Sequence, residues 1–382
     1  MKLASTDVVV IGGGAIGTAA AFYLTKAGLR VTLVERRGLA HEASGANVGL
    51  VTLFSIHSLE EPDPGPLYAL TRASIDGYLA LGEEVGLDIE YEQCGGVFVA
   101  ITEERLQTIR RAYEGYKTHG VPVEWLGPGG VRACEPAFFS DRVLGGAFCP
   151  LNGYVNPLLV TRALALGARR LGATLLLGTA VHGISCDRGR VQAVRTSAGD
   201  IPCRFVVNAA GAWAAEIGAM VGVKIPVFPA RGQILLTEPV PRFIRRVVMG
   251  AEPSARQTRR GNVIVGSTVE DVGFDKRVTM QGIGHFARGV VPNFPRLRDL
   301  QVIRTWAGLR PATPDNHPII QLLEDPDGFC LATGHSRRGI GYGPGTGQLV
   351  AQILTGKPPS LSLEPFALGR FAEWPPEETA KH

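Results

Sequence analysis

Residues 7–35 read Asp-Val-Val-Val-Ile-Gly-Gly-Gly-Ala-Ile-Gly-Thr-Ala-Ala-Ala-Phe-Tyr-Leu-Thr-Lys-Ala-Gly-Leu-Arg-Val-Thr-Leu-Val-Glu, and no other stretch constrains the fold as tightly. Val8, Val9, Val10 and Ile11 form an apolar run of the kind buried in a parallel sheet. Gly12, Gly14 and Gly17 follow at G-x-G-x-x-G spacing. Ala15 to Ala27 reads as a helix stopped by Gly28, and Arg30 to Val34 as a second strand ended by Glu35. A lone G-x-G-x-x-G says little. With a strand before it, a helix after it and an acid closing the next strand, it predicts a βαβ unit that binds a dinucleotide.

Each glycine has a physical task. Gly12 permits the tight turn out of the strand, Gly14 leaves room for a pyrophosphate at the backbone, and Gly17 lets helix and strand pack closely. The first helical turn, Ala15 and Ile16, presents free N–H groups and partial positive charge to phosphate. Glu35 suits a ribose diol, with Arg36 beside it. The turn-rich stretch from Arg36 to Val48 carries Ser44, Gly45, Ala46 and Asn47, where a loop would return along the bound nucleotide.

At 382 residues the chain exceeds one typical core, so two domains are expected. A net charge of +4 without a Lys/Arg-rich run points to neither nucleic acid nor a membrane surface. The six cysteines are scattered with no C-x-x-C pair, so most read as buried thiols rather than as disulfides or a metal site. Val8 to Leu24 is apolar, but its glycine turn argues against a membrane span. No basic leader precedes it, and the expected location is cytoplasmic.

Further along, residues 66–86 read as an amphipathic helix, Val97 to Ile101 as a strand, and Glu103 to Gly120 as a helix capped by Thr102. Asn156-Pro157 starts another helix, through Leu171. Short strands are expected at Thr174–Leu177, His182–Cys186, Val191–Thr196 and Ile201–Arg204, with Val181 near the nucleotide. The apolar run from Phe205 to Asn208 enters a small-residue turn, Ala209-Ala210-Gly211-Ala212-Trp213, which suits a second approach to the cofactor through Ala210, Gly211 and Trp213. Residues 230–310 look strand-rich. Phe329 to Ala332 is a last buried strand, followed by a glycine-rich turn to Gly347 and a helix from about Gln348. The last dozen residues, rich in Pro and Glu, are expected to fray.

A dinucleotide cradle holds either a nicotinamide or a flavin. Approaches from the N-terminal motif, from the Gly211 turn and from the Gly339–Gly347 turn favour FAD. Arg337, Arg338, Gly339, Ile340 and Gly341 would aim N–H groups and positive charge at the flavin pyrimidine ring, where reduction places negative charge.

Taken with Trp306-Ala307-Gly308-Leu309-Arg310-Pro311, these motifs resemble the D-amino-acid oxidase superfamily of FAD enzymes over nearly the whole chain. Within it the chain looks most like glycine oxidase, sarcosine oxidase-like proteins, and the β subunits of proline, opine and cyanide-forming glycine dehydrogenases. The resemblance implies an α/β plus α+β fold: a Rossmann-like FAD-binding domain assembled from 1–80, 150–225 and 320–370. A substrate domain from 81–149 and 226–319 would be built on an antiparallel sheet that roofs the flavin. It also implies that Arg310 clamps a substrate carboxylate through its planar fork. The bland reading of Arg310 is a structural ion pair. Arg337, Gln257 and Tyr342 are the other candidate catalytic residues. Met249 is a weaker candidate, and His335 reads better as a structural histidine bonded to backbone. Monomeric sarcosine oxidases attach flavin through a cysteine near a Thr-Pro-Asp run. Here that run is Thr313-Pro314-Asp315 and the matching position is Gly308, so non-covalent FAD is expected.

The chemistry expected is oxidation of a small amino acid or secondary amine by hydride transfer to flavin N5. The resulting imine hydrolyses, with dioxygen as acceptor and hydrogen peroxide formed. The alternative is a flavin subunit that passes electrons to a partner or quinone in a homo- or hetero-oligomer. An NAD-dependent dehydrogenase, a nucleoside-modifying relative and a non-catalytic flavin module are the remaining readings. No metal site is expected.

Overall fold

The structure is a computed structural model that describes residues 3–54, 65–250 and 253–373. Val8–Ile11 lies inside a six-stranded sheet ordered Ile319–Leu322, Phe329–Thr333, Phe205–Asn208, Val8–Ile11, Val31–Glu35, Thr174–Leu177. All neighbours are parallel except the antiparallel Ile319–Leu322. Its central residues Val8, Val9 and Val10 are fully buried because both faces are covered. Val8, Val10 and Leu33 pack into a core with the helices Ala15–Lys26, Gly65–Val85, Pro157–Arg170 and Gly339–Leu354. Val9, Ile11 and Val34 point the other way, toward a three-stranded antiparallel sheet of Val181–Asp187, Arg190–Thr196 and Gly199–Pro202.

The expected caps are present. Thr102 accepts a hydrogen bond from Arg105 N, and Asn156 accepts from Leu158 N and Leu159 N. Three expectations need correction. The strand placed at Ile201–Arg204 runs instead over Gly199–Pro202, because the hairpin pairs Thr196 with Gly199. The strand-rich region also holds a helix, Met280–Val290, capped by Thr279 and burying Phe286 and Val290.

The third correction concerns the segment read as a glycine-rich turn, Gly339 to Gly347. It is helical from Gly339 onward. Its glycines serve helix packing: a Cβ at Gly347 would lie 2.7 Å from the Ala19 carbonyl, and one at Gly345 would lie 2.6 Å from Leu70 O. Three helices therefore meet backbone to backbone, and that contact outweighs the poor helix propensity of glycine. Of the C-terminal residues expected to fray, 374–382 lie outside the described residues.

The second large sheet has eight strands, ordered Val302–Ala312, Phe228–Pro239, Asn262–Gly266, Ser254–Gln257, Val247–Met249, Gly96–Ala100, Gly145–Cys149, Glu124–Leu126. It is antiparallel apart from the pairing of Val247–Met249 with Gly96–Ala100. Gly232 pairs with Gly308 on its first two strands, and a Cβ at Gly308 would lie 2.7 Å from Ala46 Cβ. Gly308 thus lets this sheet settle onto the loop that follows Glu35, while Gly232 leaves room for Arg310. Among the described residues no helix is long and apolar enough to cross a membrane.

Candidate active site

A cavity of about 420 Å³ runs between the two large sheets. One end is built by Gly12, Gly14, Ala15, Ile16, Glu35 and Arg36, with Val181, Ala210, Gly211 and Trp213 opposite. Space here is tight by construction. Gly12 has φ 117°, and a Cβ on it would lie 2.3 Å from Ala209 O. At Gly14 a Cβ would come within 2.9 Å of the Ser44 hydroxyl. That hydroxyl accepts from Ala15 N at 2.8 Å, so the returning loop is tied to the helix start. Asn47 braces the same loop, donating to Ala43 O and Ser44 O and accepting from Gly49 N.

The Glu35 carboxylate lines the cavity and accepts from Gly13 N at 2.7 Å and Arg37 N at 2.8 Å. The Arg36 guanidinium lies 4.1 Å over the Trp213 ring. Gly17 and Gly45 do not line the cavity. A Cβ on Gly17 would lie 1.9 Å from Gly12 O, and one on Gly45 would lie 2.1 Å from Ala40 O. Both serve backbone packing behind the cradle.

At the far end the cavity meets the N-terminus of the helix Gly339–Leu354, with Arg337, Arg338, Gly339, Ile340 and Gly341 in its wall. Two helix N-termini therefore open into one space, and their partial positive charges suit an elongated, anionic ligand. Arg338 donates to Thr52 O at 2.7 Å, which anchors the helix start. His335 lines the cavity while almost fully buried, and its Nε2 contacts Thr346 Oγ1 at 3.0 Å. Burial holds its imidazole neutral, with the pKa pushed down to about 3.

The roof supplies Arg310 from the strand Val302–Ala312. Its Nη2 donates to Ser267 Oγ at 2.5 Å, while Nη1 is buried without a partner. Its guanidinium lies on the backbone of Gly232, where a Cβ would meet Nη2 at 2.2 Å. Burial and the neighbouring charge of Arg337 hold its pKa down to about 10, so it stays cationic at neutral pH. No ion pair to an acid forms among the described residues, so a buried guanidinium faces the cavity with one donor open. Leu50, Thr52, Phe98, Met249 and Ser254 complete this end.

Two expected catalytic residues are elsewhere. Gln257 is on a strand of the roof but faces away. Its amide accepts from Phe243 N and Ile244 N and donates to Val240 O and Gly261 O. The strand alternation that brings Ser254 to the cavity turns Gln257 to a loop whose backbone groups need partners. Tyr342 is 1 % exposed within the helical core and does not line the cavity. The helix that starts at Gly339 rotates its ring toward the Arg338 guanidinium, 4.7 Å away. His335 bonds a side chain rather than the backbone expected of it. Sequence reasoning also passed over Ser267, for which an isolated serine after a glycine gives no signal. None of the six cysteines lines the cavity, and three of them, Cys149, Cys203 and Cys330, are buried. No cluster of metal-ligating side chains occurs among the described residues.

The family model described as FAD dependent oxidoreductase (DAO) matches residues 7–353. Hydrogen cyanide synthase subunit HcnC of Pseudomonas protegens is 33% identical over 97% of both chains. Glycine oxidase of Geobacillus kaustophilus is 32% identical over 95% of this chain and 97% of its own. Its crystal structure superposes with a TM-score of 0.90, covering 96% of this chain and 99% of that one at 30% identity. The structure of L-proline dehydrogenase from P. horikoshii gives the same TM-score of 0.90 at 28% identity, covering 97% and 98%.

Proposed function

The chain belongs to the FAD-dependent oxidoreductase family, and on that premise we propose that it oxidises a small amino acid or secondary amine carrying a carboxylate. Glycine, sarcosine, another N-substituted glycine or proline fit the reading, with dioxygen as acceptor and hydrogen peroxide formed. The observation that carries it is the unpaired Nη1 of Arg310 in the cavity roof. The names of relatives support both parts, since glycine oxidase and proline dehydrogenase act on small amino acids. The proposed division of the chain is a cofactor domain of 1–80, 150–225 and 320–370 with a substrate domain of 81–149 and 226–319. Membership of the two large sheets supports it.

The residues present fit FAD: a Cβ-free cradle at Gly12 and Gly14, and two helix N-termini in one cavity. Gly14, Ala15 and Ile16 would hold its pyrophosphate, Glu35 its ribose, and Gly339 to Gly341 the ring end. Bound there, FAD supplies the two-electron acceptor for the carbon–hydrogen bond beside the amine. The chain's own groups bind and orient. Arg310 fixes the carboxylate, and with it the position of the α-carbon. The acids in the cavity wall among the described residues are Glu35, Glu42 and Glu216, all on the nucleotide side. At the Arg310 end the field disfavours an ammonium and favours the neutral amine that oxidation needs. His335, held neutral, adds no charge.

The test is anaerobic bleaching of the flavin by a panel of amino acids and N-alkyl glycines, followed by peroxide release on admitting oxygen. An Arg310→Leu variant is expected to keep FAD and lose affinity for carboxylate substrates by about a hundredfold. Unchanged KM in that variant would remove the clamp. Bleaching without peroxide would favour transfer of electrons to a partner, as the subunit name of the cyanide synthase relative suggests.

A further inference from the structure

Arg310 is held by a hydroxyl and a glycine instead of an acid. Ser267 Oγ sits 2.5 Å from Nη2, and Gly232 provides the flat surface beneath. Ser267 is itself firmly mounted. The segment from Ser267 to Thr279 runs beside the strand that carries Arg231, Gly232 and Gln233. Side chains alternate along that strand, so Gly232 faces Arg310 while Arg231 and Gln233 face the segment. Arg231, 4 % exposed, pairs with Glu270 at 2.5 Å and Asp275 at 3.2 Å, and exchanges both backbone hydrogen bonds with Glu270. Gln233, fully buried, donates to Glu270 and Thr279 and accepts from Thr279 N, while Gln233 N donates to Thr268 Oγ1. Further out, Phe274 stacks on Trp213 with centroids 5.2 Å apart, and Lys276 pairs with Glu42 at 2.9 Å. The segment is thus tied to the neighbouring strand through Thr268 and Glu270, which hold the backbone that carries Ser267.

We infer that Ser267 is the positioning residue for Arg310, and that this segment is its mount. The inference rests on the carboxylate-clamp reading of Arg310. A carboxylate in the place of Ser267 would hold the guanidinium as firmly but would neutralise it and compete with substrate. A hydroxyl accepts one N–H and leaves the positive charge available. The distant acid of the segment, Glu270, helps keep Arg310 cationic without contacting it. Selectivity for carboxylate-bearing amines then depends on which side chain stands at 267 as well as on the arginine.

The probe is acetate, a carboxylate with no amine to oxidise, titrated into the FAD-loaded enzyme and read from the perturbed visible flavin spectrum. Ser267→Ala is expected to weaken acetate about tenfold, Ser267→Thr to stay within about threefold of wild type, and Ser267→Asp to weaken it by about a hundredfold or more. The Kd for FAD should stay constant across the series. With the best substrate, the Ala and Asp variants should raise KM far more than they lower kcat. Oxidation of an N-methylalkylamine without a carboxylate should be unmoved. If acetate binds all three variants like wild type while Arg310→Leu abolishes binding, the positioning role is wrong and the clamp stands. If Arg310→Leu also binds acetate normally, the clamp itself falls. Loss of FAD affinity in Ser267→Ala with unchanged acetate binding would make Ser267 a cofactor residue and overturn the inference.

Discussion

Replacing Gly232 by alanine tests how closely the site is built. The new Cβ would stand 2.2 Å from Arg310 Nη2 and 2.5 Å from its Cζ and Nη1. Ordinary contact needs about 3.5 Å, so the guanidinium must retreat by roughly 1 Å. That displacement stretches or breaks its 2.5 Å bond to Ser267. A misplacement of about 1 Å in a positioning group costs about a hundredfold in rate, or about 2.7 kcal/mol of transition-state stabilisation. The clash falls on the free end of a flexible side chain, so the fold is expected to absorb it. Steady-state kinetics with a carboxylate substrate and with a carboxylate-free amine, beside FAD content and a thermal melt, give the full readout. The expected result is kcat/KM lowered about a hundredfold for the first substrate alone, with FAD content and melting unchanged. A Gly232→Ala enzyme as efficient as wild type would show that Arg310 does not need that platform, and the reasoning would fail.

Two further outcomes follow from the packing. Gly347→Ala places a Cβ 2.7 Å from the Ala19 backbone and 2.8 Å from the Tyr23 ring, between helices that cannot separate easily. It is expected to destabilise the protein by about 1–3 kcal/mol in urea unfolding, against the gain of about 1 kcal/mol that Gly→Ala brings in an exposed helix. His335 makes stability pH-dependent. Its folded pKa is depressed to about 3 from 6.5, so between those values the unfolded chain takes up a proton that the folded chain refuses. Stability should therefore fall as pH drops from about 6.5 toward 3, by up to about 1.4 kcal/mol per pH unit from this group. His335→Asn should flatten that slope in pH-dependent denaturant melts, and an unchanged slope would count against a buried neutral imidazole.

The N-terminal βαβ unit was legible because its signals are local: an apolar strand, three glycines at fixed spacing and an acid at a strand end are read within residues 7–35. So were the caps at Thr102 and Asn156, where a side chain bonds a neighbour only two or three residues away; Arg310, which lines the cavity, was singled out by family resemblance and not by a local pattern. The helix Gly339–Leu354 was not legible over its first half. Glycines at 341, 343, 345 and 347 look alike whether they make a turn or let one backbone touch another. Gln257 and Tyr342 failed for a related reason, since sequence proximity to a motif does not fix the face on which a side chain emerges.

The chain's order of residues, taken alone, pointed to a dinucleotide and to the kind of sheet that would hold it, because phosphate binding at a helix start is a short-range arrangement; FAD in particular was read from separated segments and family resemblance. Only the tertiary structure decided what surrounds Arg310. Ser267 and Gly232 are 43 and 78 residues before it and converge on it by strand pairing. The charge that a guanidinium keeps depends on which groups the rest of the fold brings within a few ångströms, and no local pattern encodes that.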